Sequence, residues 1–129
     1  MPKDNVEPGS KAQARKSVLR QPEVDMYINE FLDAVCDNSR RAILELLVPV
    51  QGSNPQTMER RSGDIAREIG LSPATTSEHL QVLSKAGLIV SRREGNSVFY
   101  RVRNYKLVQA FHTLTDSLAQ DYMERGREP

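Results

Sequence analysis

Hydrophobic residues recur at helical spacing in the first half of the chain. A first helix is predicted from Pro22 to about Cys36, because its apolar residues share one stripe with two flanking positions: Val24, Ile28, Phe31 and Val35, flanked by Tyr27 and Leu32. A second helix is predicted with Ser39 as its cap and Pro49 just beyond its end. Its apolar residues are assigned to the core: Ile43, Leu44, Leu46 and Leu47.

The segment 62–86 has the pattern of two short helices joined by a tight turn. Ser62 is predicted to cap the first helix, and Gly70 ends it, because glycine adopts the left-handed conformation of a helix C-terminus without steric cost. Ser72 is predicted to cap the second helix, with Pro73 as its first residue. Two short helices connected in this way are a candidate helix-turn-helix.

Two extended runs follow, at 88–93 and 97–103, and the residues between them suit a hairpin loop with Gly95 or Asn96 at positive φ. A short strand at 58–61 is predicted to lie against this hairpin, and Asn104 is predicted to cap a final helix of about 22 residues. The predicted fold class is α+β, mainly α: a winged helix-turn-helix, with the hairpin at 88–103 as the wing.

The predicted helix at 72–86 separates into an apolar and a polar face at about 100° per residue. Thr76, Leu80 and Leu83 form the inner stripe, with Pro73 and His79 at its edges. The outer face carries mostly small or short polar residues: Ala74, Thr75, Ser77, Glu78, Gln81 and Lys85. Such side chains suit contact with base edges in the major groove, whereas an ordinary solvent-facing helix carries more Lys and Glu.

We therefore predict a DNA-binding surface made of this helix and the wing. Thr75, Ser77 and Gln81 are predicted to contact bases, with Ala74 and Glu78 in support. The other predicted DNA-binding residues are His79, Arg92, Arg93, Asn96 and Arg101. For His79, a packing role with a hydrogen bond to nearby backbone is the alternative.

The apolar stripes of the first and last helices are wider than one small domain can bury. Each large apolar side chain is worth roughly 1.5–3 kcal/mol when buried, so leaving several exposed favours association. The predicted homodimer interface is Tyr27, Ile28, Phe31, Leu107, Phe111, Leu114, Leu118 and Tyr122. A dimer would place two recognition helices about one DNA turn, roughly 34 Å, apart.

Charge is unevenly distributed although the net charge is only +1. Residues 1–20 carry five Lys/Arg against two Asp/Glu, and residues 61–103 carry seven against four, whereas residues 21–60 carry three against seven. Basic charge on the presumed DNA elements is the pattern of an electrostatic footprint. Residues 1–20 are predicted to be a flexible basic tail, followed by one winged-helix domain at 21–125, with dimerisation helices at about 22–36 and 104–125.

The segment from Val35 to Val102 resembles the ArsR/SmtB family of winged-helix repressors. The resemblance rests on DNSRRAILELL at 37–47, LSPATTSEHLQVLSKAGLI at 71–89 and the wing RREGNSVFYRV at 92–102. It implies a homodimer that binds double-stranded operator DNA and blocks transcription. The family's metal ligands have no full counterpart: the helix at 64–69 has no cysteine, and His112 and Asp116 lack partners because Ala110 and Met123 occupy the other expected positions. No metal or other cofactor is therefore predicted.

The single cysteine and the lack of a long apolar run favour a soluble, cytoplasmic protein. Cys36 is interpreted as a small buried hydrophobe, with a redox switch at the dimer interface as the alternative. No catalytic constellation occurs, so the protein is not predicted to be an enzyme. Two alternatives to a constitutive repressor remain: a winged-helix protein-interaction module without DNA binding, and an effector- or redox-responsive repressor.

Overall fold

The computed structural model describes residues 19–49 and 58–126. It contains, in chain order, α1 (Pro22–Val35), α2 (Asn38–Leu47), β1 (Arg60–Arg61), α3 (Ser62–Ile69), α4 (Pro73–Lys85), β2 (Ile89–Glu94), β3 (Ser97–Val102) and α5 (Tyr105–Asp121), which continues as a π-helical turn (Tyr122–Gly126). The strands form an antiparallel sheet in the order β1-β3-β2. This is the predicted winged helix-turn-helix. Residues 1–18 of the predicted tail and residues 50–57 lie outside the described residues.

Three of the predicted helix ends are confirmed. Ser72 Oγ accepts a hydrogen bond from the Thr75 amide at 3.1 Å, and Pro73 is the first residue of α4. Asn104 Oδ1 accepts from the amide of Leu107 at 3.1 Å at the start of α5. Gly70 ends α3 with φ +82°, in the left-handed region.

Two predicted caps are wrong. Asp37, not Ser39, caps α2: its carboxylate accepts from the Arg40 amide at 3.0 Å, and this bond lowers the pKa of Asp37 below its usual range. A carboxylate is a stronger acceptor than the serine hydroxyl and also favours the positive end of the helix. Ser62 is the first residue of α3 rather than its cap, because β1 runs directly into the helix and extended Arg61 occupies the cap position.

The core lies between α2, α3, α4 and the start of the sheet. Its largest fully buried apolar side chains are Ile43, Leu47, Ile65, Leu80, Leu83, Leu88 and Ile89. The predicted inner stripe of α4 is buried in this core, including Thr76. Leu46 is only partly buried, which corrects its assignment to the core. The core therefore fixes which face of α4 turns to solvent.

The hairpin between β2 and β3 turns at Gly95, with φ +62°, and Asn96 does not take positive φ. Arg93 is paired with Val98, and Arg92 with Phe99. Because side chains alternate along a strand, Arg92 and Arg93 lie on opposite faces of the wing.

Helices α1 and α5 meet through their aromatic residues. The rings of Phe31 and Phe111 make an edge-to-face contact with centroids 5.5 Å apart. Val108 is the buried residue of α5, and much of the rest of that helix is exposed. Within the described ranges, none of the helices is both long and apolar enough to cross a membrane.

Candidate nucleic-acid interface

The outer face of α4 is open to solvent. All five residues predicted there for base contact or its support are exposed: Ala74, Thr75, Ser77, Glu78 and Gln81. They lie over the first two and a half turns, with the buried stripe directly beneath them. The helix thus presents a continuous surface of small and polar groups, and an α-helix fits into the major groove of DNA.

Thr75 has a structural role as well as an exposed one. Its Oγ1 lies 3.1 Å from Ser72 Oγ, and its amide donates to the same serine oxygen. The hydroxyl is therefore oriented by the cap at the start of α4. A side chain that is already oriented before binding loses less conformational entropy when it forms a contact.

His79 is half-buried and turns towards α2. Arg40 Nη1 lies 3.3 Å from His79 Nδ1. Because a guanidinium only donates, Nδ1 is the acceptor in this contact. His79 therefore contacts a side chain of α2 rather than nearby backbone, and its predicted contact with DNA stays a prediction.

Arg92 is tied into a cluster on one face of the wing. Its guanidinium makes a bidentate contact with Glu59, with Nη2 2.7 Å from Oε1 and Nε 3.0 Å from Oε2. It also lies 2.7 Å from Glu94 and stacks over the ring of Phe99, 4.8 Å from the centroid. The hydrogen bond from Arg92 lowers the pKa of Glu59, and the two carboxylates raise the pKa of Arg92. This side chain holds the wing to the chain just before β1.

The other predicted wing residues differ in their exposure to solvent and in their contacts within the chain. Arg93 is exposed, and within residues 19–49 and 58–126 no carboxylate lies within salt-bridge distance of it. Asn96 is exposed at the tip of the hairpin. Arg101 is half-buried, and its Nη1 donates to the carbonyl of Val102 at 3.2 Å. Of the three arginines, Arg93 has the guanidinium most available to a phosphate.

The predicted dimer residues form a partly open apolar surface on α1 and α5. Ile28, Phe31, Leu107 and Phe111 are half-buried within the chain. The exposed fractions of the outer side chains are 54% for Leu114, 59% for Leu118, 60% for Tyr122 and 53% for Tyr27. Tyr27 lies apart from the others, because its hydroxyl is 3.4 Å from Arg103 and faces the turn at Gly87.

Cys36 and His112 stand apart from the DNA surface. Cys36 follows α1 and is exposed, so its interpretation as a buried hydrophobe is wrong. His112 bridges α2 and α5, with Nδ1 3.7 Å from Glu45 and Nε2 3.5 Å from Asp116.

Sequence reasoning missed two residues that shape this surface. Glu59 was not singled out, and its pairing with Arg92 depends on the register of β1 against β3. Arg40 is not among the predicted surface residues, and it donates to backbone carbonyls of α1. Basic charge in the first turn of α2 indicates that such a partner is needed, because the helix dipole disfavours it unless another group compensates.

Comparison with known proteins identifies the family. The sequence model described as "Bacterial regulatory protein, arsR family" matches residues 37–91. The transcriptional repressor SdpR of Bacillus subtilis is 33% identical over 73 residues, which cover 57% of this chain and 72% of the relative. The cadmium resistance transcriptional regulatory protein CadC of Listeria innocua is 44% identical over 45 residues, 35% of this chain; the match spans only 38% of the length of CadC.

A solved structure supports the same conclusion. The solution structure of a homodimeric winged helix-turn-helix DNA-binding domain from Mycobacterium bovis superimposes with a TM-score of 0.64 at 29% identity, covering 81% of this chain and 88% of that one. The residues that the family model matches contain the helix-turn-helix described above. The chain belongs to the arsR family of bacterial regulatory proteins.

Proposed function

We propose that this protein is a homodimeric transcriptional repressor that binds double-stranded operator DNA. In this proposal α4 enters the major groove of the DNA, and the wing lies against the neighbouring sugar-phosphate backbone. Family membership supports the proposal, because SdpR is described as a repressor and the Mycobacterium bovis domain as homodimeric and DNA-binding. The proposal concerns this chain as a whole, beyond the segments that those relatives share with it.

The observation that carries the proposal is the outer face of α4. Its exposed residues combine hydroxyl, amide and methyl groups, and Glu78 is its sole acidic member between Ala74 and Gln81. Hydroxyl and amide groups donate to and accept from base edges, and the methyl group of Thr75 or Ala74 suits a thymine methyl. Glu78 fits the same surface as an acceptor for the amino group of cytosine.

The two faces of the wing have different roles in this proposal. Arg93 contacts a DNA phosphate, and Asn96 approaches the DNA backbone from the tip of the hairpin. Arg92 contributes chiefly by holding the wing in place, since its guanidinium is already engaged by Glu59 and Glu94. Arg101 and His79 contribute less for the same reason: each is half-buried and hydrogen-bonded within the chain.

Selection of bound sequences from a random duplex pool tests the proposal and would give the operator with its half-site spacing. Binding should weaken as salt rises, because phosphate contacts release counterions. Arg93→Ala should weaken binding to every sequence and reduce the salt dependence, and Arg92→Ala, its matched control on the opposite face, should change the salt dependence less. Absence of any salt-dependent duplex binding would instead support a protein-interaction module.

Base recognition is tested on the selected operator. Thr75→Ala and Gln81→Ala should each reduce the preference for the operator over mismatched duplexes by roughly 1–3 kcal/mol, while non-specific binding persists. If both variants retain wild-type affinity and sequence preference, α4 does not read the bases and the assignment of its outer face is wrong.

A further inference from the structure

The C-terminal end of α1 is held by two arginines from α2. Arg40 Nε donates to the carbonyl of Ala34 at 2.6 Å, and its Nη2 lies 3.3 Å from the carbonyl of Asp33. Arg41 Nη1 donates to the carbonyl of Val35 at 2.7 Å. These carbonyls belong to the last turn, which lacks the usual helical partners, although the carbonyl of Asp33 also accepts from the Cys36 amide. Positive charge is favoured at this end of the helix dipole.

Arg40 also reaches the recognition helix, and Arg41 does not among the described contacts. The third nitrogen of Arg40, Nη1, lies 3.3 Å from His79 Nδ1 on α4. A cleft lined by Glu30, Ala34 and Val82 separates α1 from α4 near this point, and Arg40 is part of its wall. One planar guanidinium therefore bridges two helices across a gap that apolar packing leaves open.

A second connection lies just beyond the C-terminal end of α4. Arg103 Nε donates to the carbonyl of Gly87 at 2.6 Å, and its Nη2 is 3.4 Å from the hydroxyl of Tyr27 on α1. The two connections differ in exposure: the Arg103 contacts are exposed, whereas the contacts of Arg40 with Ala34 and His79 are partly buried. Hydrogen bonds to charged groups are stronger away from water, so Arg40 makes the more rigid link.

We propose that Arg40 is a positioning residue that fixes α4 relative to α1. The proposal rests on the proposed function, in which α1 belongs to the dimer interface and α4 reads DNA. The orientation between these two helices then sets the separation of the two recognition helices, and hence the half-site spacing that the dimer accepts. A guanidinium is suited to this role because its three nitrogens satisfy carbonyls and an imidazole together, which a lysine ammonium on a flexible stem does not.

The experiment compares Arg40→Gln with Arg41→Gln in the full-length protein. Both variants lose an arginine that caps α1, but only the first loses the bridge to α4. Spin labels are placed on exposed positions of α1 and α4 with the substitutions Asn29→Cys and Gln81→Cys in a Cys36→Ser background, and labelled chains are diluted with unlabelled ones. The distribution of distances between the two labels of one chain should be wider for Arg40→Gln than for Arg41→Gln and for the parent. Equal widths for the two variants would overturn the proposal.

A second readout uses unlabelled protein and operators whose half-site spacing is changed by one base pair. Arg40→Gln should lose about tenfold in discrimination between the correct and altered spacing, and Arg41→Gln should retain it. If Arg40→Gln does not fold, Arg40→Lys replaces it in this assay. It should show the same loss of discrimination between the two spacings. Equal discrimination by the Arg40 and Arg41 variants would refute the proposal. If the parent binds no DNA, the proposed function fails, and the distance measurement alone decides the role of Arg40.

Discussion

The apolar surface on α5 gives a quantitative prediction for Leu118→Ala. Leu118 is 59% exposed in the single chain. Complete burial of a leucine side chain is worth roughly 1.5–3 kcal/mol, so covering the exposed part contributes about 1–2 kcal/mol per copy. In a two-fold dimer the substitution occurs twice, and we expect it to weaken association by about 2–4 kcal/mol.

This loss corresponds to a dissociation constant roughly 30 to 1,000 times higher. Sedimentation equilibrium over a range of protein concentrations measures it directly. Met26→Ala is the matched control, because Met26 is also an exposed apolar residue, at 70%. It is not among the predicted interface residues of α1, and its neighbours Glu23, Glu30 and Asp33 are acidic. The reasoning fails if Leu118→Ala dimerises as tightly as Met26→Ala, or if the parent protein is a monomer at every concentration.

Three further predictions concern stability. Glu59→Gln should lower the melting temperature at neutral pH by removing the partner of Arg92. Since folding lowers the pKa of Glu59, its contribution is complete above the ordinary value near 4.5 and is lost as the pH falls through the lowered pKa. The gap between the melting curves of parent and variant should therefore close in acid, and a gap independent of pH would count against the ion pair. Thr76→Val should stabilise the protein by about 1 kcal/mol in denaturant unfolding, because Thr76 Oγ1 is buried without a partner in the described structure; destabilisation would mean that the hydroxyl is satisfied. Gly70→Ala should cost about 1 kcal/mol because of its positive φ, whereas Gly63→Ala, with open space at its Cβ, should be neutral or stabilising in the same assay.

The parts of the fold that follow local rules could be predicted from the sequence. Ser72, Pro73 and Gly70 act within one turn of their own positions, so their roles in the helix-turn-helix are readable without tertiary information. The separation of α4 into a buried stripe and an exposed face follows from helical periodicity alone. The exposed residues of α4 were predictable for the same reason, and their contact with DNA stays a prediction.

Other features depend on how distant segments meet. The pair of Arg92 with Glu59 joins residues 33 positions apart and requires the register of all three strands. The cap of α2 was ambiguous because Asp37, Asn38 and Ser39 are three consecutive residues that each suit the position. Arg40 reaches the carbonyl of Ala34 only because the chain turns sharply between α1 and α2, which no periodicity encodes.

The junction between β1 and α3 has a mechanical consequence. Arg61 is the last residue of the strand and Ser62 the first of the helix, so the sheet joins the helix-turn-helix without an intervening linker. Because of this direct connection, we expect the wing and the helix-turn-helix to move as one unit when the protein binds DNA. We therefore expect the duplex to supply the flexibility: sequences that bend or narrow their grooves at low energetic cost would be preferred even at base pairs that no side chain touches.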